Sequence, residues 1–261
     1  MIFLVAYFLF FKIKLGNIAF VKTIIYRRRG VMAPQKINTF IIRFENEIKF
    51  SDIPYFRSGI LSAMDYDANV LFHNHKSDTE FRYSYPLIQY KRINKKAAIV
   101  CLGEGALTIG EFFLRQNLNI RIKDEVVELK VESLRPGNYI VQPWGTMFLY
   151  RLRKWLPLNS ENYIKYTQLE GVVEKTAFLE KILVGNILSM AKGLDIGIDE
   201  EIQCKIISID SPRLMLAKGV RLMSFDIEFK TNISIPDYAG LGKHSSLGFG
   251  IVTKKKNKDE Q

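Results

Sequence analysis

His73 and His75, with Asn74 between them, are two of the three histidines in the chain. In an extended segment, residues i and i+2 share one face and lie about 6.5–7 Å apart at Cα. Two imidazoles at that spacing can stand on either side of one phosphodiester. One takes the proton of a ribose 2′-hydroxyl and the other gives a proton to the leaving 5′-oxygen, because histidine titrates near neutral pH. Each transfer is worth about 10²–10⁴ in rate. Lys76, Arg82 or Tyr83 follow closely and could neutralise the non-bridging oxygens as charge develops. The spacing alone leaves two other readings open. The pair could ligate a metal with Asp65, Asp67, Asp78 or Glu80, although no third His or Cys lies close by. It could also be a loop pair with no task.

A second segment with chemical potential runs Gly240-Leu241-Gly242-Lys243-His244-Ser245-Ser246-Leu247-Gly248-Phe249-Gly250. Glycines allow close backbone approach and positive φ, which exposes N–H groups as an anion-binding nest. Leu241 and Phe249 can pin such a loop to a core, while Lys243, His244, Ser245 and Ser246 offer a cation and hydroxyls to phosphates. The segment lacks the GK[ST] ending of a P-loop and the spacing of a dinucleotide fingerprint, which disfavours a mononucleotide ligand. The plain alternative is a glycine-rich β-hairpin with no ligand. A third cluster, Arg82–Lys96, interleaves Tyr83, Tyr85 and Tyr90 with Arg82, Lys91, Arg92, Lys95 and Lys96. It suits bases stacking beside phosphates, or else is an ordinary hairpin with solvated lysines.

The composition bounds what can hold these residues in place. With 261 residues, 48% hydrophobic and 25% charged, the chain is neither disordered, collagen-like nor a multi-span membrane protein. Cys101 and Cys204 show no CxxC or metal-type spacing, which excludes a disulfide framework and a zinc ribbon and fits a reducing cytoplasm. The net charge of +11 is unevenly spread. Six basic residues and no acid fall in residues 1–31, and Thr253–Gln261 is lysine-rich. The part expected to fold is only mildly basic, and any nucleic-acid argument rests on local patches. Ile2–Phe11 is too short for a span, which needs about 20 residues, and residues 1–31 lack the order of a signal peptide. Synthesis is expected to start at Met32, with a membrane-surface anchor as the alternative use of residues 1–31.

From Met32 the pattern is α+β. Strand-like Ile37–Phe44 precedes a helix capped by Ser51-Asp52-Ile53-Pro54 and running to about Met64. Tyr83–Ile93 and Ala97–Leu102 read as strands joined at Asn94-Lys95-Lys96. A helix from Gly103-Glu104-Gly105 to about Gln116 follows, then a strand at Val126–Val131, with Arg135-Pro136-Gly137 breaking the chain. This β-α-β-β-α-β order is the ferredoxin-like unit, whose four-stranded sheet leaves one face free as an RNA platform. A related series follows: a polar loop at Asn159-Ser160-Glu161-Asn162, a long helix over Val172–Leu194, and strands at Cys204–Ile209, Arg213–Leu216, Met223–Phe229 and Ile251-Val252. The expected architecture is two tandem ferredoxin-like (RRM-like) domains with a C-terminal glycine-rich loop. Their bounds are 32–133 for the catalytic domain, 134–252 for the RNA-binding domain and 253–261 for a basic tail.

These segments resemble the RAMP superfamily of CRISPR-associated RNA-binding proteins, and within it the endoribonuclease that processes CRISPR repeat RNA. The likeness is carried by the glycine-rich segment, by Ile53-Pro54-Tyr55-Phe56-Arg57-Ser58-Gly59, by Phe72-His73-Asn74-His75, and by Arg82-Tyr83-Ser84-Tyr85-Pro86-Leu87-Ile88-Gln89-Tyr90-Lys91. In the second half it continues through Leu158–Tyr163, Leu183–Leu188 and Ile235–Gly240, and spans Met32 to Val252. Arg57-Ser58-Gly59 departs from the related pattern, in which Arg and Gly are adjacent. The resemblance implies cleavage without metal or other cofactor, leaving a 2′,3′-cyclic phosphate and a 5′-hydroxyl. It places catalysis on His73 and His75, with Tyr83 as a third residue. RNA binding falls to Lys76, Arg82, Gly240, Gly242, Lys243, His244, Ser245, Ser246, Gly248 and Gly250. The implied partners are CRISPR repeat RNA, as precursor and mature guide, and other CRISPR effector subunits, for a cytoplasmic monomer or homodimer without a membrane. The runner-up is a non-catalytic RNA-binding subunit of a CRISPR effector complex.

Overall fold

The computed structural model describes residues 36–63, 75–77, 80–81, 85–110 and 118–255, with backbone alone at 75–77 and 80–81. Residues 1–31 and the expected start at Met32 lie outside the described residues. Strand β1 (Lys36–Glu47) opens the first half. A 3-10 turn at Phe50–Asp52 leads into helix α1 (Ile53–Ser62), with Pro54 in its first turn, where a missing N–H costs nothing. Neither Ser51 nor Asp52 caps α1 through its side chain. Ser51 instead donates to Asp52, and Asp52 pairs with Lys123 at 2.7 Å.

A short hairpin, β2 (His75–Ser77) with β3 (Glu80–Phe81), lies between α1 and the next sheet strand. Strands β4 (Ile88–Ile93) and β5 (Lys96–Leu102) form a hairpin. Asn94 and Lys95 turn it with φ of 49° and 69°, the double positive φ of a two-residue turn matched to strand twist. Helix α2 (Gly105–Thr108) starts where expected, and its expected continuation to Gln116 runs into residues 111–117, outside the described ones. A second hairpin, β6 (Asn119–Ile122) with β7 (Glu125–Glu128), precedes β8 (Val131–Ile140).

Strand β8 corrects two sequence expectations. The closing strand is Val131–Ile140 rather than Val126–Val131, and Arg135-Pro136-Gly137 lies inside it, with Pro136 opposite Phe40 of β1. A proline is tolerated there because β8 is the edge of the sheet, whose order is β4-β5-β1-β8 with every neighbour antiparallel. The strand also runs across the junction expected between residues 133 and 134. The order is that of a ferredoxin-like sheet.

The second half repeats it. Strand β9 (Pro143–Trp155) leads to helix α3 (Ser160–Gln168), where a polar loop was expected. Asn159 is the reason: its side chain accepts the Asn162 N–H at 2.7 Å and so starts a helix. Helix α4 (Val172–Gly193) buries Leu179, Leu183, Ile187 and Met190 along one stripe. Strands β10 (Cys204–Ile209), β11 (Arg213–Ala217), β12 (Val220–Ile233) and β13 (Ile251–Lys254) complete a sheet of order β10-β12-β9-β13, with β11 paired to β12. Between β12 and β13, where the first half has a helix, residues 234–250 carry only a 3-10 turn at Ser245–Leu247. That interval holds the glycine-rich segment.

One face of the first sheet (Phe40, Ile42, Phe44, Ile88, Tyr90, Ile99) packs on α1. The opposite face was expected to be a free platform. It is instead buried: Ala98, Val100 and Leu102 join Tyr150, Leu152, Trp155, Leu183, Ile187 and Phe225 in a single core. The second half covers the first sheet because Ile37 of β1 and Ala98, Val100 and Leu102 of β5 are apolar on that side too, so the sheet has two faces to bury.

Candidate nucleic-acid interface

Of the candidate catalytic residues, His75 and the neighbouring Lys76 stand on β2, with His75 opposite Phe81 across the hairpin. His73, Arg82 and Tyr83 lie outside the described residues. Among the described residues, no group of three or more His, Cys, Asp and Glu is arranged to hold a metal.

The glycine-rich segment is described throughout. Its ends are joined by a bridge between Gly240 and Ile251, and the Leu241 N–H donates to the Gly250 carbonyl at 2.8 Å. The Gly250 N–H donates to the Lys154 carbonyl at 2.9 Å and the Lys243 N–H to the Leu156 carbonyl at 3.1 Å. These donors serve the protein's own carbonyls, so much of the supposed nest is internally satisfied. Leu241 and Phe249 are buried, as the anchoring role requires. Gly242, Gly248 and Gly250 have positive φ. At Gly248 the reason is legible: φ is +81° and an added Cβ would lie 2.6 Å from Ile53 Cδ1, so the segment rests directly on the start of α1.

What reaches the surface is the middle of the segment. Lys243 is exposed and His244 and Ser246 are half-buried, whereas Ser245 is buried and its carbonyl accepts from Lys91 Nζ at 2.9 Å. His244 adopts a left-handed backbone with φ of 54°. Burial, and then Lys218 and Lys243 nearby, lower its imidazole from the ordinary histidine value, which favours the neutral ring.

A second group of cations adjoins it at the seam of the two halves. The Phe50 ring meets Phe249 edge-on at 4.9 Å, and Lys154 Nζ sits 3.4 Å above the Phe50 centroid. Burial lowers the Lys154 ammonium from its ordinary range, and Arg92 and Arg213 push the same way against Asp226. Arg213 is paired with Asp226 at 2.9 Å, while Arg92 donates to the Ile48 carbonyl at 2.6 Å. Like charges gathered with one carboxylate among them favour an anion. Lys218, Lys154 and Phe50 escaped the sequence reading because only the packing of the halves brings them, with Arg92 of the aromatic-basic cluster, to the glycine-rich segment. The Arg82–Lys96 cluster reads differently in three dimensions. Tyr85, Tyr90 and Lys91 are buried and so do not form an open stacking surface.

Comparison with known proteins bears on this arrangement. The Cas6b N-terminal domain matches residues 35–139 and the Cas6b C-terminal domain matches residues 142–255. The chain belongs to the Cas6b family. That places it among the CRISPR-associated RAMP-type proteins which its sequence resembles. A crystal structure of Cas6b shares 26% identity with a TM-score of 0.76, covering 85% of this chain and 100% of that one. The structure of a CRISPR RNA processing endoribonuclease, also Cas6b, has a TM-score of 0.65 at 23% identity over the same shares. An uncharacterised protein of Methanocaldococcus jannaschii is 32% identical over 154 residues, which is 59% of this chain and 98% of that protein. Among the described residues, no helix is long and apolar enough to cross a membrane.

Proposed function

We propose that this Cas6b-family chain cuts CRISPR repeat RNA by attack of a ribose 2′-hydroxyl on the adjoining phosphodiester, without a metal ion. One observation carries the reading: the Cas6b domains match both halves in order, and the first match contains the His-Asn-His segment. In the proposed step one imidazole, of His73 or His75, takes the 2′-hydroxyl proton as the bond from the 2′-oxygen to phosphorus forms. The other gives its proton to the 5′-oxygen as that oxygen leaves phosphorus. The products carry a 2′,3′-cyclic phosphate and a 5′-hydroxyl, and solvent resets the two imidazoles. Tyr83, Lys76 and Arg82 would stabilise the charge on the non-bridging oxygens.

The glycine-rich segment would hold the RNA backbone through Lys243, His244 and Ser246, with Lys218 at its edge and the Lys154–Phe50–Phe249 cluster beside it. Its glycines, together with Ser245, shape the segment. The RNA is the partner in both precursor and mature form, and other CRISPR effector subunits are the further candidates.

The test is cleavage of repeat RNA by the full chain, with and without EDTA, and with a 2′-deoxy substitution 5′ of the cut. A discrete cut that survives EDTA and is blocked by the 2′-deoxy nucleotide is the expected outcome. Tight binding with no cut would make the chain a non-catalytic RNA-binding subunit. A cut abolished by EDTA would return His73 and His75 to the role of metal ligands.

A further inference from the structure

We propose that Lys91 and Gln89 of β4 are a positioning pair, whose task is to lock the glycine-rich segment in the shape that RNA meets. The proposal rests on the RNA-binding reading of that segment. Residues 89 and 91 share one face of β4, the face turned towards the second half. Both side chains are fully buried. Gln89 Oε1 accepts the Gly240 N–H at 2.9 Å, and its own amide nitrogen donates to the Pro86 carbonyl at 2.9 Å, which fixes the amide's orientation. Lys91 Nζ donates to the Ser245 carbonyl at 2.9 Å. The segment is thus gripped at residues 240 and 245, on either side of Gly242, Lys243 and His244.

Gly240 belongs to the same device. A Cβ there would lie 2.7 Å from Lys91 Nζ and 2.9 Å from Gln89 Oε1, so the grip closes only on a residue without a side chain. Among the described residues no carboxylate pairs with Lys91, and burial alone pushes its ammonium down to about 7. An unpaired lysine in a core opposes folding, and an apolar side chain of similar length would fill the space without that cost. What only a donor supplies here is the bond to the Ser245 carbonyl. Lys91 itself is sealed from solvent, so it acts through the segment rather than on RNA.

The test compares the full chain with Lys91→Met, and with Gly240→Ala, which breaks the grip from the other side. Three readouts are taken: repeat-RNA affinity, single-turnover cleavage at saturating RNA, and amide hydrogen exchange over residues 240–250. Lys91→Met is expected to weaken RNA binding by about tenfold or more and to leave the saturated cleavage rate within about twofold. It should speed exchange over residues 240–246 by about tenfold while the β9 and β12 amides stay protected. The double variant should be no worse than the worse single one, because both release the same grip. Unchanged affinity with an equally protected segment would overturn the proposal. So would faster exchange in β9 and β12 as well, since that marks general destabilisation. If the unaltered chain binds no repeat RNA, the RNA reading has failed, and the exchange pattern alone decides whether the grip exists.

Discussion

His73 and His75 move different protons in the proposed step, so each removal should cost chemistry without costing affinity. His73→Ala and His75→Ala are each expected to slow single-turnover cleavage by about 10²–10⁴ while repeat-RNA affinity stays within about twofold. Stopped-time cleavage assays beside filter binding check this, and a parallel loss of affinity would make the pair structural. Lys91 has a pH signature of its own. Its folded value, near 7, lies below the ordinary lysine value of 10.5. The unfolded chain therefore binds more protons between the two, and the penalty on folding grows as pH falls from about 10 to 7. Lys91→Met should then gain melting temperature over the unaltered chain at pH 6 and lose that advantage by pH 10, in thermal denaturation followed by circular dichroism. The histidine pair stands out in the sequence because its spacing needs only local geometry, and His73 lies outside the described residues. Lys91 does not stand out, because a lysine in an aromatic-basic run reads as solvated until a second domain is laid over it.

At the scale of elements, local signals resolved what local forces decide. The Asn94-Lys95 turn and the long helix α4 stand where turn chemistry and periodicity put them. The failures are equally physical. Arg135-Pro136-Gly137 reads as a break, yet an edge strand makes no demand on the missing proline donor. Asn159 reads as loop, yet one side-chain bond to the Asn162 N–H makes it a helix start. In the glycine-rich segment the sequence pattern pointed to a cradle for anions, whereas several glycine positions are occupied with the protein's own backbone and with α1. Gly248→Ala should therefore cost stability: the left-handed backbone alone costs about 1–2 kcal/mol for a non-glycine residue, and the contact with Ile53 adds to it. Chemical denaturation checks the value, and an alanine variant as stable as the parent would show that the segment is not pressed onto α1.

At the scale of the whole molecule, the two ferredoxin-like halves share a core, from Val100 and Leu102 on one side to Trp155, Ile187 and Phe225 on the other. The first sheet therefore offers no open platform, and the proposed RNA surface lies at the seam of the two halves. A shared core also predicts one cooperative calorimetric transition, with both halves unfolding together; two resolved transitions would contradict it. The seam's cations should behave as partners of RNA phosphates. Replacing both Lys218 and Lys243 with alanine is expected to weaken RNA binding and to lower the slope of log affinity against log salt by about 0.7 for each phosphate no longer neutralised. The central claim, transesterification by the RNA's own 2′-hydroxyl, is tested most directly at the product ends. Repeat RNA is incubated with the full chain in EDTA and the fragments are weighed by mass spectrometry. A 5′ fragment ending in a 2′,3′-cyclic phosphate, with a 3′ fragment beginning in a 5′-hydroxyl, is the result predicted; a 3′-hydroxyl opposite a 5′-phosphate would contradict it.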